Sequence, residues 1–149
     1  MTIHSTASAA EKVQVFVSSF APAGKAGIYA YTIHTGDGSV KQTASYTEAA
    51  HPFFLALSPS GKTLYSIHAP NGFGGEQDEE IAAFRVTNDD GELKLLNRQS
   101  SHGTASCYLD IDNHGRLLVV ANYTTGDVAS YPINRDGTFG KSASFFKHT

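Results

Sequence analysis

A chain that repeats itself is constrained before any single residue is weighed, and this one does so at intervals of about fifty residues. PFFLALSPSGKTLYSI (52–67) returns as SCYLDIDNHGRLLVVA (106–121): an apolar run, a turn centred on Gly61 or Gly115, and a second apolar run. The segment after each copy recurs as well. IAAFRVTNDDGELKLL (81–96) is echoed by VASYPINRDGTFGKSA (128–143) and, earlier, by IYAYTIHTGDGSVKQT (28–43). Each full unit reads as four short strands.

Alternation is clearest in the third strand of each unit, where Tyr29, Tyr31 and Ile33 share a face, as do Ala82, Phe84 and Val86, and Ala129, Tyr131 and Ile133. An aromatic recurs at the middle position (Tyr31, Phe84, Tyr131), and packing between stacked units is its simplest role. Turns are equally regular. Gly-Asp-Gly (36–38), Asp-Asp-Gly (89–91) and Arg-Asp-Gly (135–137) link third to fourth strands, while Ser-Pro-Ser-Gly (58–61) and Asp-Asn-His-Gly (112–115) link first to second. First and second strands read as apolar on both faces (Leu117, Leu118, Val119, Val120), as expected between neighbours. Pro132 fits its strand only if its nitrogen faces away from a paired neighbour. No window supports a helix of useful length. The fold class is therefore all-β: antiparallel four-stranded meanders arranged as β-propeller blades.

Eleven strands are predicted, one unit of three and two of four, with blade units at 13–47, 52–100 and 106–146 within a partial propeller spanning 13–149. Residues 1–12 are expected to form a disordered tail. The first unit lacks its innermost strand, and a propeller needs at least four blades to close. The remaining blades, or other copies of the chain, are therefore expected to complete the ring.

Composition excludes more than it suggests. A formal charge of −3 leaves no basic footprint, so nucleic acid is not an expected partner. Apolar runs such as Leu117–Ala121 fall far short of a membrane span, and MTIHSTASAAEK lacks the positive start and apolar core of a secretory signal. A lone cysteine, Cys107, rules out an internal disulfide and fits a reducing compartment, so the expected location is cytoplasmic. Neither Cys-x-x-Cys nor His-Glu-x-x-His occurs, and Gly-x-Ser-x-Gly is absent, so no metal, cofactor or serine nucleophile is predicted.

The blade text FLALSPSGKTLYSI, the ending IAAFRV…GELKLLNRQSS and the stretch CYLDIDNHGRLLVVANYTTGDVASYPI…DGTFG resemble the seven-bladed propeller lactonases, which include the propeller-type 6-phosphogluconolactonases and carboxymuconate-lactonizing relatives. The resemblance spans residues 13–146 and is most specific at Leu117–Tyr123, Gly126 and Tyr131–Ile133. It implies about two and three-quarter blades of a seven-bladed ring and hydrolysis of a sugar lactone, in the best-known case 6-phosphogluconolactone of the pentose phosphate pathway. It also implies that the histidine, arginine and glutamate proposed as catalytic in the family belong to blades beyond Thr149, so that this portion alone is expected to be inactive. The family's usual Gly-Pro-Cys-His reads here Ala105-Ser106-Cys107-Tyr108.

Meander topology sorts the polar residues by end. Turns 1–2 and 3–4 share one end and carry His114, Asp37, Asp90 and Asp136, in tight glycine turns expected to leave little room for a site. Loops 2–3 and the blade-to-blade connections share the other end. It carries His51, His68, His102, Asn122 and Tyr123, the residues expected to bind the small-molecule lactone, together with His148. Histidine there is available as acid, base or ligand, and equally as an ordinary strand cap. The long loop 69–80 carries Glu76, Asp78, Glu79 and Glu80, which either bind a cation or form solvated surface. The alternative to an enzyme is a non-enzymatic propeller scaffold that presents its polar end to another protein.

Overall fold

A computed structural model describes residues 12–25 and 27–148. The tail expected over 1–12 lies outside them except for Lys12, which opens the first strand. Eleven strands follow in order: β1 (Lys12–Ser18), β2 (Ile28–His34), β3 (Val40–Tyr46), β4 (Pro52–Leu57), β5 (Thr63–His68), β6 (Glu80–Val86), β7 (Leu93–Ser100), β8 (Ser106–Ile111), β9 (Leu117–Asn122), β10 (Asp127–Pro132) and β11 (Ser144–Lys147). They form three antiparallel sheets in simple sequence order, β1–β3, β4–β7 and β8–β11. Inner strands β4 and β8 adjoin, and β1 lies against β4.

The repeat is exact enough to superpose register on register. Val15 opposes Tyr31, Leu64 opposes Phe84 and Leu118 opposes Tyr131, so the recurring aromatic always meets the second strand at the same rung. A bulge follows Ala30 in the first blade and Ala83 in the second, at corresponding positions. Phe84 is fully buried among Ile28, Leu64 and Ala82, the seam between blades one and two. Tyr131 is fully buried among Tyr65, Ile67, Ile81 and Ala83, the seam between blades two and three. Each aromatic thus faces the preceding blade. Tyr31, the first of the series, lies instead with Val15, Val17, Ile33 and Val40 along a shallow apolar groove on the open face of the first blade.

Gly91 and Gly137 show how tightly the seams close. Both have positive φ (82° and 86°), and a Cβ would come within 2.6 Å of Ala30 and of Thr63 respectively, each on the preceding blade. Pro132 ends β10. The neighbouring bonds, Ile133 N to Arg116 O and Ala143 N to Ser130 O, place the proline nitrogen on the β11 side, beyond the last paired couple Ser130–Ser144.

One expectation needs correction. Burial on both faces holds for β5, which is buried along its whole length, but not for β9. Leu118 and Val120 are fully buried, whereas Leu117 and Val119 are 39% and 36% exposed. Blade two has a neighbour on each side. The far face of blade three has none among the described residues.

Candidate functional site

The end carrying loops 2–3 and the blade connections is built on paired positions. Pro52 opposes His68 in blade two, and Ser106 opposes Asn122 in blade three. The preceding residues, His51 and Ala105, both take left-handed backbone, with φ of 45° and 53°. That conformation turns each carbonyl toward the residue just past the end of the second strand. The His51 carbonyl accepts from Ala69 N at 3.3 Å, and the Ala105 carbonyl accepts from Tyr123 N at 2.9 Å. His51 is therefore joined to Ala69, next after His68, within blade two, and Ala105 to Tyr123, next after Asn122, within blade three.

The five residues differ in depth. Asn122 is buried and its amide fully engaged: Oδ1 accepts from Ser106 Oγ at 2.6 Å, and Nδ2 donates to Ser101 O at 3.0 Å and to Asp127. His68, at the corresponding position, is fully buried against Phe84, and neither ring nitrogen has a hydrogen-bond partner among the described residues. Proline at 52 offers no hydroxyl where blade three has Ser106. Burial, reinforced by the nearby Arg98 guanidinium, lowers the His68 pKa to about 4, so the imidazole is neutral at pH 7. His102, itself left-handed at φ 61°, stacks on Tyr131 at 6.2 Å and meets Phe145 edge-on, which places it at the outer strands, away from His51. Tyr123 is 81% exposed. Of the sequence-predicted set, Tyr123 is open to a ligand, His51 is half-buried with its Nδ1 out of solvent and without a hydrogen-bond partner among the described residues, His68 and Asn122 are buried, and His102 stands apart.

Several residues of this end carry no signal in the sequence pattern. Phe20, Phe53 and Phe73 come from three segments and form a partly exposed aromatic cluster with the His51 ring, with Phe20–His51 and Phe53–Phe73 centroids both 4.8 Å apart. Nor do the acids of loop 69–80 converge. Asp78 accepts from Ser100 Oγ, Glu80 pairs with Arg98 at 3.1 Å, and Glu76 is exposed. Glu79 is buried, accepting from Gly74 N at 2.8 Å through Oε1 and from Ser106 N at 2.7 Å through Oε2. It ties the loop of blade two to the first residue of blade three. Among the described residues no group of three His, Cys, Asp or Glu could hold a metal ion. The Cys107 thiol is half-buried, 3.8 Å from Ala121 O.

The opposite end also departs from expectation. Its turns leave room after all: a cleft of about 160 Å³ opens between blades two and three, lined by Lys62, Arg85, His114, Arg135 and Asp136 among others. Neighbouring turns splay at the seam although each turn alone is tight.

The family profile described as Lactonase, 7-bladed beta-propeller, matches residues 14–149. The chain belongs to this family. The 6-phosphogluconolactonase of Bacillus subtilis is 28% identical over 134 residues, covering 90% of this chain and 37% of that protein. That of Formosa agariphila is 31% identical over 123 residues, covering 83% and 34%. Among solved structures, a Bacteroides fragilis protein described as a candidate 6-phosphogluconolactonase superposes with a TM-score of 0.80 at 28% identity, covering 92% of this chain and 36% of that one. A periplasmic gluconolactonase of Pseudomonas aeruginosa, at 24% identity and a TM-score of 0.79, shares the fold, covering 93% and 39%. The chain thus spans little more than a third of the lactonases it matches. No helix among the described residues is long and apolar enough to cross a membrane.

Proposed function

We propose that these blades serve a lactone hydrolase acting on a sugar lactone, with 6-phosphogluconolactone as substrate and 6-phosphogluconate as product. The observation that carries the reading is the family match over 14–149, joined by relatives named 6-phosphogluconolactonase over most of this chain. In the reaction, water oxygen bonds to the lactone carbonyl carbon, the bond from that carbon to the ring oxygen breaks, and the ring oxygen takes a proton as the product acid loses one. The step needs a base for the water and donors for the developing oxyanion. Neither role is assigned to a residue of these three blades.

The contribution of the blades is binding. The His51 ring packs on Phe20, which forms a partly exposed cluster with Phe53 and Phe73, and Tyr123 is exposed at the same end; a polar group beside apolar surface is typical of small-molecule sites. His68 and Asn122 shape the strand ends beneath. A cytoplasmic place in the pentose phosphate pathway accompanies this reading. Completion of the ring by further blades, or by copies of the chain, is supported by the uncovered apolar faces at Tyr31 and at Leu117 and Val119.

The test is the solution mass of the chain by light scattering, together with its hydrolysis of 6-phosphogluconolactone. Activity above spontaneous ring opening, reduced in Tyr123→Ala and His51→Ala, is expected once further blades complete the ring, and the chain alone is expected to be inactive. A discrete assembled ring that leaves the lactone untouched would overturn the substrate assignment.

A further inference from the structure

We propose that the cleft at the turn end, between blades two and three, is a binding site for a phosphate group carried by a small molecule. The cleft draws Lys62 and Arg85 from blade two, and His114 and Arg135 from blade three, together with the hydroxyls of Ser58 and Ser60. Three formal positive charges thus gather in one concavity of a chain whose net charge is −3. A concave wall with an excess of one sign concentrates its field on whatever enters, and guanidinium groups match phosphate oxygens in pairs.

Three cations face one acid in the lining, Asp136, which feels the Arg85 charge but forms no salt bridge with it. The ion pair among the described residues is Arg98–Glu80, at the other end of the sheet. Arg85 donates through Nη2 to the Asp136 backbone carbonyl, which anchors the guanidinium without cancelling its charge. Asp136, the acid of the lining, turns its carboxylate into its own loop, where Oδ1 accepts from Thr138 N at 3.0 Å and Thr138 Oγ1 at 2.7 Å. Those bonds, with a smaller contribution from the Arg85 charge, hold it below the usual carboxylate range, so it offsets one of the three cations and leaves an excess of two.

Nor does the repeat impose the charges. At the corresponding seam between blades one and two, Thr32 stands for Arg85 and Asp89 for Arg135, as the shared rungs at Tyr31 and Phe84 and the matching turn bonds from Gly91 to Asn88 and Gly137 to Asn134 establish. Ser60 likewise stands for His114, two residues after the matching turn acceptors Ser58 and Asp112. One geometry therefore has two seams, and one of them collects cations. Its volume of about 160 Å³ is below the several hundred of a drug-sized pocket, which suits a phosphate group with a short carbon chain. The site lies at the opposite end from His51 and Tyr123 and stands independently of the lactonase reading.

The test is a titration of the ¹⁵N-labelled chain with inorganic phosphate at ionic strength held constant with sodium chloride, repeated with glucose 6-phosphate. Saturable amide shifts confined to the turns at Ser60, Gly115 and Gly137 are expected. Arg135→Gln, whose side chain makes no hydrogen bond among the described residues, should weaken binding about tenfold, the effect of one charge-assisted contact. Arg85→Gln should weaken it at least as much, and Lys41→Gln on blade one not at all. Tighter binding of glucose 6-phosphate than of phosphate identifies a phosphorylated metabolite. Equal binding would overturn that source and leave the bare ion as ligand. An absence of saturable shifts at these turns, or an Arg135→Gln variant that binds as the parent does, would overturn the site.

Discussion

The Ser106 amide donates to Glu79 Oε2 at 2.7 Å, a bond that crosses from the first residue of one blade to the loop of the blade before it. The same serine gives its hydroxyl to Asn122 Oδ1 at 2.6 Å. One residue thus satisfies a buried carboxylate and a buried amide, and a proline here could do neither.

Ser106→Pro should therefore be far more damaging than Ser106→Ala. Alanine leaves the N–H and removes one hydroxyl, a loss of about 1 kcal/mol, whereas proline also strands a carboxylate oxygen, for a total of about 3 kcal/mol or more. Urea midpoints of the two variants decide it. Equal midpoints would show that the Glu79 bond contributes nothing.

Glu79→Gln keeps one acceptor and turns the other into a donor facing an N–H. Hydrogen exchange at Gly74 and Ser106 should accelerate about tenfold or more, with strands β5 and β9 unaffected. Uniform acceleration across the chain would mean the latch is not local.

His68 makes stability depend on pH. Its folded pKa, about 4, lies below the ordinary 6.5, so the unfolded chain takes up the proton first as pH falls. The folded state is fully favoured above about pH 6.5 and loses on the order of 3 kcal/mol between there and pH 4. His68→Leu should flatten the denaturation midpoint across that window. A parent-like slope in the variant would assign the pH dependence elsewhere.

Ala105→Gly should raise stability by about 0.5 kcal/mol, where glycine at an ordinary position costs about 1 kcal/mol. At φ 53° the alanine carries a left-handed penalty that glycine escapes, and this outweighs the lost methyl contact. Thermal midpoints measure the sign directly.

The blades were legible because their signals are local. Glycine at Gly61, Gly115, Gly91 and Gly137 marks turns, and the period-2 run through Phe84 or Tyr131 marks a strand whatever surrounds it. Topology also assigned His51, His68, His102, Asn122 and Tyr123 to one end. It could not assign their depth, since a strand end can be capped, buried or open. His68 is sealed by packing against Phe84, and His102 stands outward against Tyr131. Glu79 was hidden among four acids of one loop, because its partners, Gly74 and Ser106, are backbone groups that sequence does not advertise. The cationic cleft was invisible for a further reason: Lys62, Arg85, His114 and Arg135 are scattered over four segments and meet only when two blades stack.

The aromatic that each blade sends backward gives the stack a direction. In both seams of this structure the face bearing the aromatic meets the opposite face of the preceding blade, as Tyr131 meets Tyr65, Ile67, Ile81 and Ala83. A molecule that covers the Tyr31 face in the same way approaches head to tail. Head-to-tail addition either closes into a ring or runs on as a filament.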